Sequence, residues 1–264
     1  MKILFTIPVL VGLLSPAMAT ELPTVPPELE SRVQFRHSFE TSIEKPEQNA
    51  IGSKLEQSGG SITEQGFLGK GFKVADVSDN KSKPLRIISE SLSPDKPLTI
   101  MLWWRLDEEV PETGAYGILH LGHTGKGGYI SCFVRGKGDW CGLKQPTWIY
   151  QFHNFPELAN NNNTWTGRAA TKAGDWHHTA LTISNAKEIS WYQDGQLKLK
   201  FIAKGRDLSK GELRAMDIGD THQRQPMTID ELLVLDRALS ATEIADYYAG
   251  AIKLQEINLG TVTK

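Results

Sequence analysis

Apolar and polar residues alternate with a period of two along most of this chain and shift to a helical period only near its C-terminal end. Leu98-Thr-Ile-Met-Leu-Trp-Trp-Arg-Leu106 is the most strand-like run. Successive side chains of a strand point to opposite faces, so Leu98, Ile100, Leu102, Trp104 and Leu106 share one face. Thr99, Met101, Trp103 and Arg105 share the other. The first set is the purer apolar one and is predicted to face the core, with Trp103 on the opposite face beside Arg105. Trp176–Ser184 and Glu188–Gln193 read as two more strands, and Asp194-Gly195 as a tight turn into a third, Gln196–Ile202. Asp-Gly between such runs is a strong hairpin signal, because a type I′ turn needs positive φ at both central residues. Further strands are predicted at Ser31–Glu40, Ala115–Leu121, Tyr129–Val134, Thr147–His153, Leu213–Gly219 and Met227–Leu235. Their spacing of roughly ten residues, with turn residues between, predicts an all-β sandwich or barrel.

Thr41–Gly60 is polar and reads as a long loop with weak strand, and Gly66–Ala75 as a strand broken by glycines. Its glycines suggest a phosphate loop only weakly, since neither Lys-Ser/Thr nor a helix follows. Ser240 followed by Glu243 makes a capping box, and Leu239, Ile244 and Tyr247/Tyr248 give an apolar side. A short C-terminal helix packed on the sandwich edge is the expectation.

Residues 1–19 have a positive start at Lys2, an apolar stretch Ile3–Leu14 and a small-x-small site Ala17-Met18-Ala19. That is the pattern of a secretory signal peptide, so the chain is expected to be secreted, periplasmic or associated with the cell envelope. Residues 20–30 form a proline-rich lead-in, 31–250 one domain and 251–264 a tail. The formal net charge is −2. No basic stripe or basic amphipathic helix is present, which argues against nucleic acid or a membrane surface as partner. Two cysteines, Cys132 and Cys141, lie in the exported part. In an oxidising compartment such a pair is most simply a disulfide; a metal site or a reactive thiol is the alternative.

Three segments carry a resemblance: Trp176-His-His-Thr-Ala, the Trp-Tyr-Gln-Asp-Gly hairpin ending at Gly195, and the Ile229-Asp-Glu strand running to Ser240. In this order they resemble the laminin-G-like, concanavalin A-like lectin/glucanase family. The resemblance implies a two-sheet antiparallel jelly-roll β-sandwich. Members of that family bind glycans, and some cleave them. Many also hold a structural Ca²⁺ between an N-terminal acidic residue and an acidic residue near the last strand. Glu40 and Asp230 occupy those places here, with Glu40-Thr41 standing where the family more often has Asp-Gly.

Catalytic signals are sparse. A glycosidase needs two carboxylates flanking the scissile bond, and the Glu-x-Asp-x-x-Glu strand of the laminarinase-like relatives is missing. Asp230 and Asp236 share a strand parity that Glu231 does not. His177 and His178 are adjacent, so a regular strand places them on opposite faces, where each reads as a core or surface histidine. No Gly-x-Ser-x-Gly elbow supports a Ser/His/Asp triad. His120, His123, Tyr129 and Arg135 give a weak hint of a lyase. Sugar sites pair an aromatic platform with orienting polar groups. Trp140, Trp148 and Trp165, with Asn162 in the Asn160–Asn163 run, are the candidates, while Trp104, Trp176 and Trp191 read as core. The leading expectation is a non-catalytic lectin-like module for a glycan or glycoconjugate, with the structural calcium that the resemblance implies. The alternatives are a glycan-active hydrolase or lyase on the same fold, or an envelope adhesion protein with a protein partner.

Overall fold

The structure is a computed structural model. It describes residues 25–56, 59–74, 85–89, 92, 96–109, 115–121, 129–136, 147–153, 164–202, 215–219 and 226–262. In chain order the first elements are α1 (Pro27–Glu30), β1 (Val33–His37), β2 (Gln48–Asn49), β3 (Lys54–Glu56), β4 (Ser61–Thr63) and β5 (Gly71–Val74). The middle of the chain gives β6 (Leu85–Ile88), β7 (Leu98–Leu106), β8 (Ala115–Leu121), β9 (Tyr129–Arg135), β10 (Thr147–His153) and β11 (Thr164–Ala170). The last third gives β12 (Trp176–Ile183), β13 (Glu188–Gln193), β14 (Gln196–Ile202), β15 (Ala215–Ile218), β16 (Met227–Leu235) and α2 (Ala241–Val262).

The strands form two antiparallel sheets stacked as a sandwich. One runs β14-β13-β12-β7-β16-β1-β2, with the β4–β5 hairpin added along β16; the other runs β11-β10-β9-β8-β15-β6-β3. The core between them takes Leu98, Ile100, Leu102, Trp104 and Leu106 from β7, the face the alternation selects. Trp191 joins the same core, whereas Trp176 is half-buried on the outer layer, edge-on to Phe67 with Arg105 above it.

The other face of β7 is covered as well. Met101 packs with Val25 and Leu29 of the α1 region and with Ile244 and Tyr247 of α2. Trp103 is fully buried, stacked on Phe67 at 3.6 Å and on Tyr248 of α2 at 5.4 Å. This second layer depends on a helix that is 22 residues long and continues through Gly250. Its start is the expected capping box: Ser240 N–H donates to Glu243 Oε2 at 2.8 Å, and Glu243 N–H to Ser240 Oγ at 3.3 Å. Among the described residues no helix is long and apolar enough to cross a membrane.

The Asp194-Gly195 turn has φ of 48° and 73°, both positive as the hairpin requires. Two strands depart from the reading of the sequence. Thr164–Ala170, where no strand is predicted, is β11, because it completes the edge of the second sheet against β10. β16 carries a bulge between Asp230 and Leu233, with Glu231 at φ 50°. The extra residue resets the alternation. Leu232 and Val234 then face the core and Leu233 the outer layer, so strand parity does not carry from Asp230 to Asp236.

Candidate functional site

Glu40 and Asp230, proposed as metal ligands by resemblance, meet on one loop, 66–70. Asp230 is fully buried. Its Oδ2 accepts the N–H groups of Phe67 at 2.8 Å and Leu68 at 3.0 Å, and its Oδ1 accepts Glu231 N–H at 2.8 Å. Glu40 Oε1 accepts Lys70 N–H at 3.0 Å. The loop must be glycine-rich to come this close. A Cβ on Gly69, where φ is 97°, would lie 2.4 Å from Glu40 Oε1, and one on Gly66 would lie 2.8 Å from Asp230 Oδ2. The loop in turn holds Phe67 against Trp103, so the carboxylates act as a clamp on the outer layer.

Asp230 and Glu40 by themselves do not complete a calcium shell. Ca²⁺ takes six to eight oxygens, whereas the oxygens that Asp230 and Glu40 turn to the loop already accept N–H donors. Among the described residues, no group of three or more His, Cys, Asp or Glu could hold a metal ion. Burial pushes the Asp230 and Glu231 carboxyls well above the usual range; the Glu40 charge raises Asp230 further, and the Asp230 charge raises Glu231. Glu231 Oε1 is buried with no hydrogen-bond partner. Three N–H donors favour the ionised form of Asp230, so Glu231 is the group that keeps the proton.

The two adjacent histidines do lie on opposite faces. His178 is in the outer layer, fully buried beside Trp103, Tyr247 and Tyr248, and both its ring nitrogens lack a hydrogen-bond partner. Burial lowers its pKa to about 4. His177 faces the inside at the rim of the sandwich, its ring 5.0 Å from both Trp104 and Trp148. Its Nδ1 lies 3.1 Å from Asp194 Oδ2 and its Nε2 3.0 Å from Thr171 Oγ1. Asp194 Oδ1 accepts the N–H of His178 at 2.9 Å, which fixes the carboxylate. The sequence shows Asp194 only as a turn residue and gives no signal for Thr171, which the chain reversal between β11 and β12 brings in.

Of the expected sugar contacts, Trp140 and Asn162 lie outside the described residues, as does the side chain of Trp165. Trp148 is not an exposed platform. It is fully buried in β10, with its Nε1 donating to Cys132 Sγ at 2.8 Å. Cys132 is a free, buried thiol rather than half of a disulfide; Cys141 lies outside the described residues. The parity of β9 turns Cys132 into the core, where burial pushes its pKa up and removes it from thiol chemistry. Of the weak lyase set, Tyr129 and Arg135 stand at the two ends of β9 and His120 is in β8; His123 lies outside the described residues.

The scaffold is a two-layer antiparallel β-sandwich with buried side chains on both faces of one sheet. Residues 79–245 match the Laminin G 3 family, described as the concanavalin A-like lectin/glucanases superfamily, and the chain belongs to it. No curated protein matches. Among solved structures, the binding domain of botulinum neurotoxin serotype D is similar, with TM-score 0.60 and 12% identity over 85% of this chain and 52% of that one. The binding domain of Paraclostridial Mosquitocidal Protein 1 gives TM-score 0.58 and 16% identity over 83% and 52%. A botulinum neurotoxin type C structure, whose cell entry depends on two ganglioside molecules, gives TM-score 0.60 and 9% identity over 85% and 52%. The chain thus spans about half the length of these neighbours, and at such identity the likeness is one of fold.

Proposed function

We propose that this chain is a secreted or envelope-associated module that binds a glycan or glycoconjugate without cleaving it. Its superfamily holds both lectins and glucanases, so the discriminating feature is the state of the carboxylates. Hydrolysis of a glycosidic bond needs two carboxyl groups roughly 5–10 Å apart on either side of an accessible bond. Asp230 and Glu231 are 0% and 4% exposed, and Asp230 is spent on loop N–H groups. That sealing is the observation that carries the reading. One neighbour described as a binding domain, and another whose toxin depends on two ganglioside molecules for cell entry, agree with it.

A glycan array, run with and without millimolar calcium beside a reducing-end assay on the same polysaccharides, tests it. Binding without product is expected, with no calcium dependence, because the clamp offers no completed oxygen shell. Product release from any of the polysaccharides would overturn the non-catalytic reading. Silence in both assays would leave a protein-binding role.

One observation favours a hydrolytic reading. In the Thr171–His177–Asp194 line the carboxylate can hold the imidazole in one tautomer and leave Nε2 to accept a hydroxyl proton, as an activated nucleophile requires. Thr171 is buried, however, and the same contacts tie the hairpin to β12. Ester hydrolysis lost in His177→Ala would select this reading; the expected result is no turnover in either form.

A further inference from the structure

Where β7 begins and β16 ends, at the end of the sheet remote from His177, an open groove of about 450 Å³ is lined by Arg32, Ser184, Asn185, Asp236 and Arg237, with Pro97 beside them. These residues come from four separate segments of the chain, and both walls are pinned. Asp236 N–H donates to the carbonyl of Arg32 at 3.1 Å. The buried hydroxyl of Thr99 donates to the carbonyl of Arg237 and accepts Leu239 N–H at 3.0 Å, which fixes the turn after β16 to the start of β7. Opposite, Lys187 N–H donates to Ser184 C=O at 2.9 Å, and Glu188 N–H to Ser184 Oγ at 3.2 Å. The polar side chains therefore stand on rigid backbone, the condition for a preorganised binding site.

We infer that this groove is a subsite for an acidic saccharide, one that carries a carboxylate or sulfate. Arg32 Nε pairs with Asp236 Oδ1 at 3.0 Å, and one terminal nitrogen of Arg237 pairs with Glu243 Oε1 at 2.6 Å. A guanidinium has five N–H donors in a fixed fork, so each pair orients its arginine and leaves donors for a ligand. The two side chains stay 48% and 42% exposed and so accessible. A planar fork matches the two oxygens of a carboxylate or sulfate. Asp236, Asn185 and Ser184 supply acceptors and an amide for ring hydroxyls, and Pro97 a small apolar wall. The volume lies within the range of small-molecule sites. The inference rests on the glycan-binding reading above and adds the place and the charge of the ligand.

The test is NMR titration of the ¹⁵N-labelled chain with N-acetylneuraminate or glucuronate, and with galactose as neutral comparator, in parallel with the glycan array. Expected are saturable shifts of the Asn185, Asp236 and Arg237 amides with the acidic sugars and little response to galactose. Arg32→Gln and Arg237→Lys should each weaken binding by about tenfold, with melting temperature and far-UV spectrum unchanged. Acidic-glycan binding on the array that survives both substitutions, or shifts that map elsewhere, overturns the groove and leaves the glycan reading standing. An equal response to galactose overturns the acidic class. An array silent for every glycan, with no groove shifts, overturns both.

Discussion

The two ends of the sheet that carries β7, β12 and β16 use the same residue types in opposite ways. Toward the end where β7 stops, polar groups are sealed: Asp230 and His178 are 0% exposed. Toward the end where β7 starts, Arg32 pairs with Asp236 and Arg237 with Glu243 beside an open groove, and Arg32, Asp236 and Arg237 stay roughly half exposed. A charge removed from water is committed to its partners and becomes part of the scaffold, because breaking the arrangement leaves an uncompensated buried group. An ion pair in solvent contributes about 0–1 kcal/mol to stability and can be re-formed around a ligand. The sealed end should therefore govern stability, and the open end binding.

The largest effect should come from the aromatic stack that the sealed end supports. Trp103→Ala removes the ring held between Phe67 and Tyr248, and the expected loss is about 3–5 kcal/mol in urea unfolding. Retention of wild-type stability would mean that the outer layer is not packed as described. Asp230→Ala should follow, at about 2–4 kcal/mol, since it strands the Phe67 and Leu68 N–H groups; a melting temperature unchanged with or without calcium would break the clamp.

The pH dependence sharpens the comparison further. His178 has a folded pKa of about 4 against an unfolded 6.5. The unfolded chain takes up this proton first, so stability falls as pH drops from about 6.5 toward 4, by on the order of 3 kcal/mol. The Asp230–Glu231 pair works the other way. Its raised folded values give stability that is complete below the unfolded carboxyl range and is lost as pH rises through them. His178→Phe should remove the first term alone and flatten the acid limb of stability measured against pH; an unchanged limb would show that His178 is not the group responsible. The smallest effect on stability belongs to Arg237→Lys, within about 0.5 kcal/mol, although binding at the groove should drop. Reversal of that order, with stability lost and binding kept, would dissolve the distinction between the two ends.

Much of the scaffold is legible in the sequence because it follows from local rules. The core face of β7, the Asp194-Gly195 hairpin and the Ser240–Glu243 capping box each depend on side-chain alternation or on residues no more than three positions apart. The first segments misread were those where a distant partner overrides local preference. Thr164–Ala170 is polar and follows an Asn run, yet it pairs as an edge strand because β10 offers it a ladder. The sugar-contact expectation for Trp148 failed although its strand, Thr147–His153, is predicted with the right bounds: the side chain faces the core between the sheets, which strand prediction alone does not decide.

By itself, then, the sequence determined the class of fold, the inward face of its longest apolar strand, the hairpin and the start of the helix, since periodicity and turn chemistry act over a few residues. Only the tertiary structure decided that Trp103 is buried on the far face, that a bulge at Glu231 turns Asp230 onto the loop of residues 66–70, and that Cys132 is a core thiol. It also decided that residues 32, 184–185 and 236–237 share one groove. Burial and convergence of distant segments are properties of packing between layers, and no pattern along a single strand encodes what the neighbouring layer will cover.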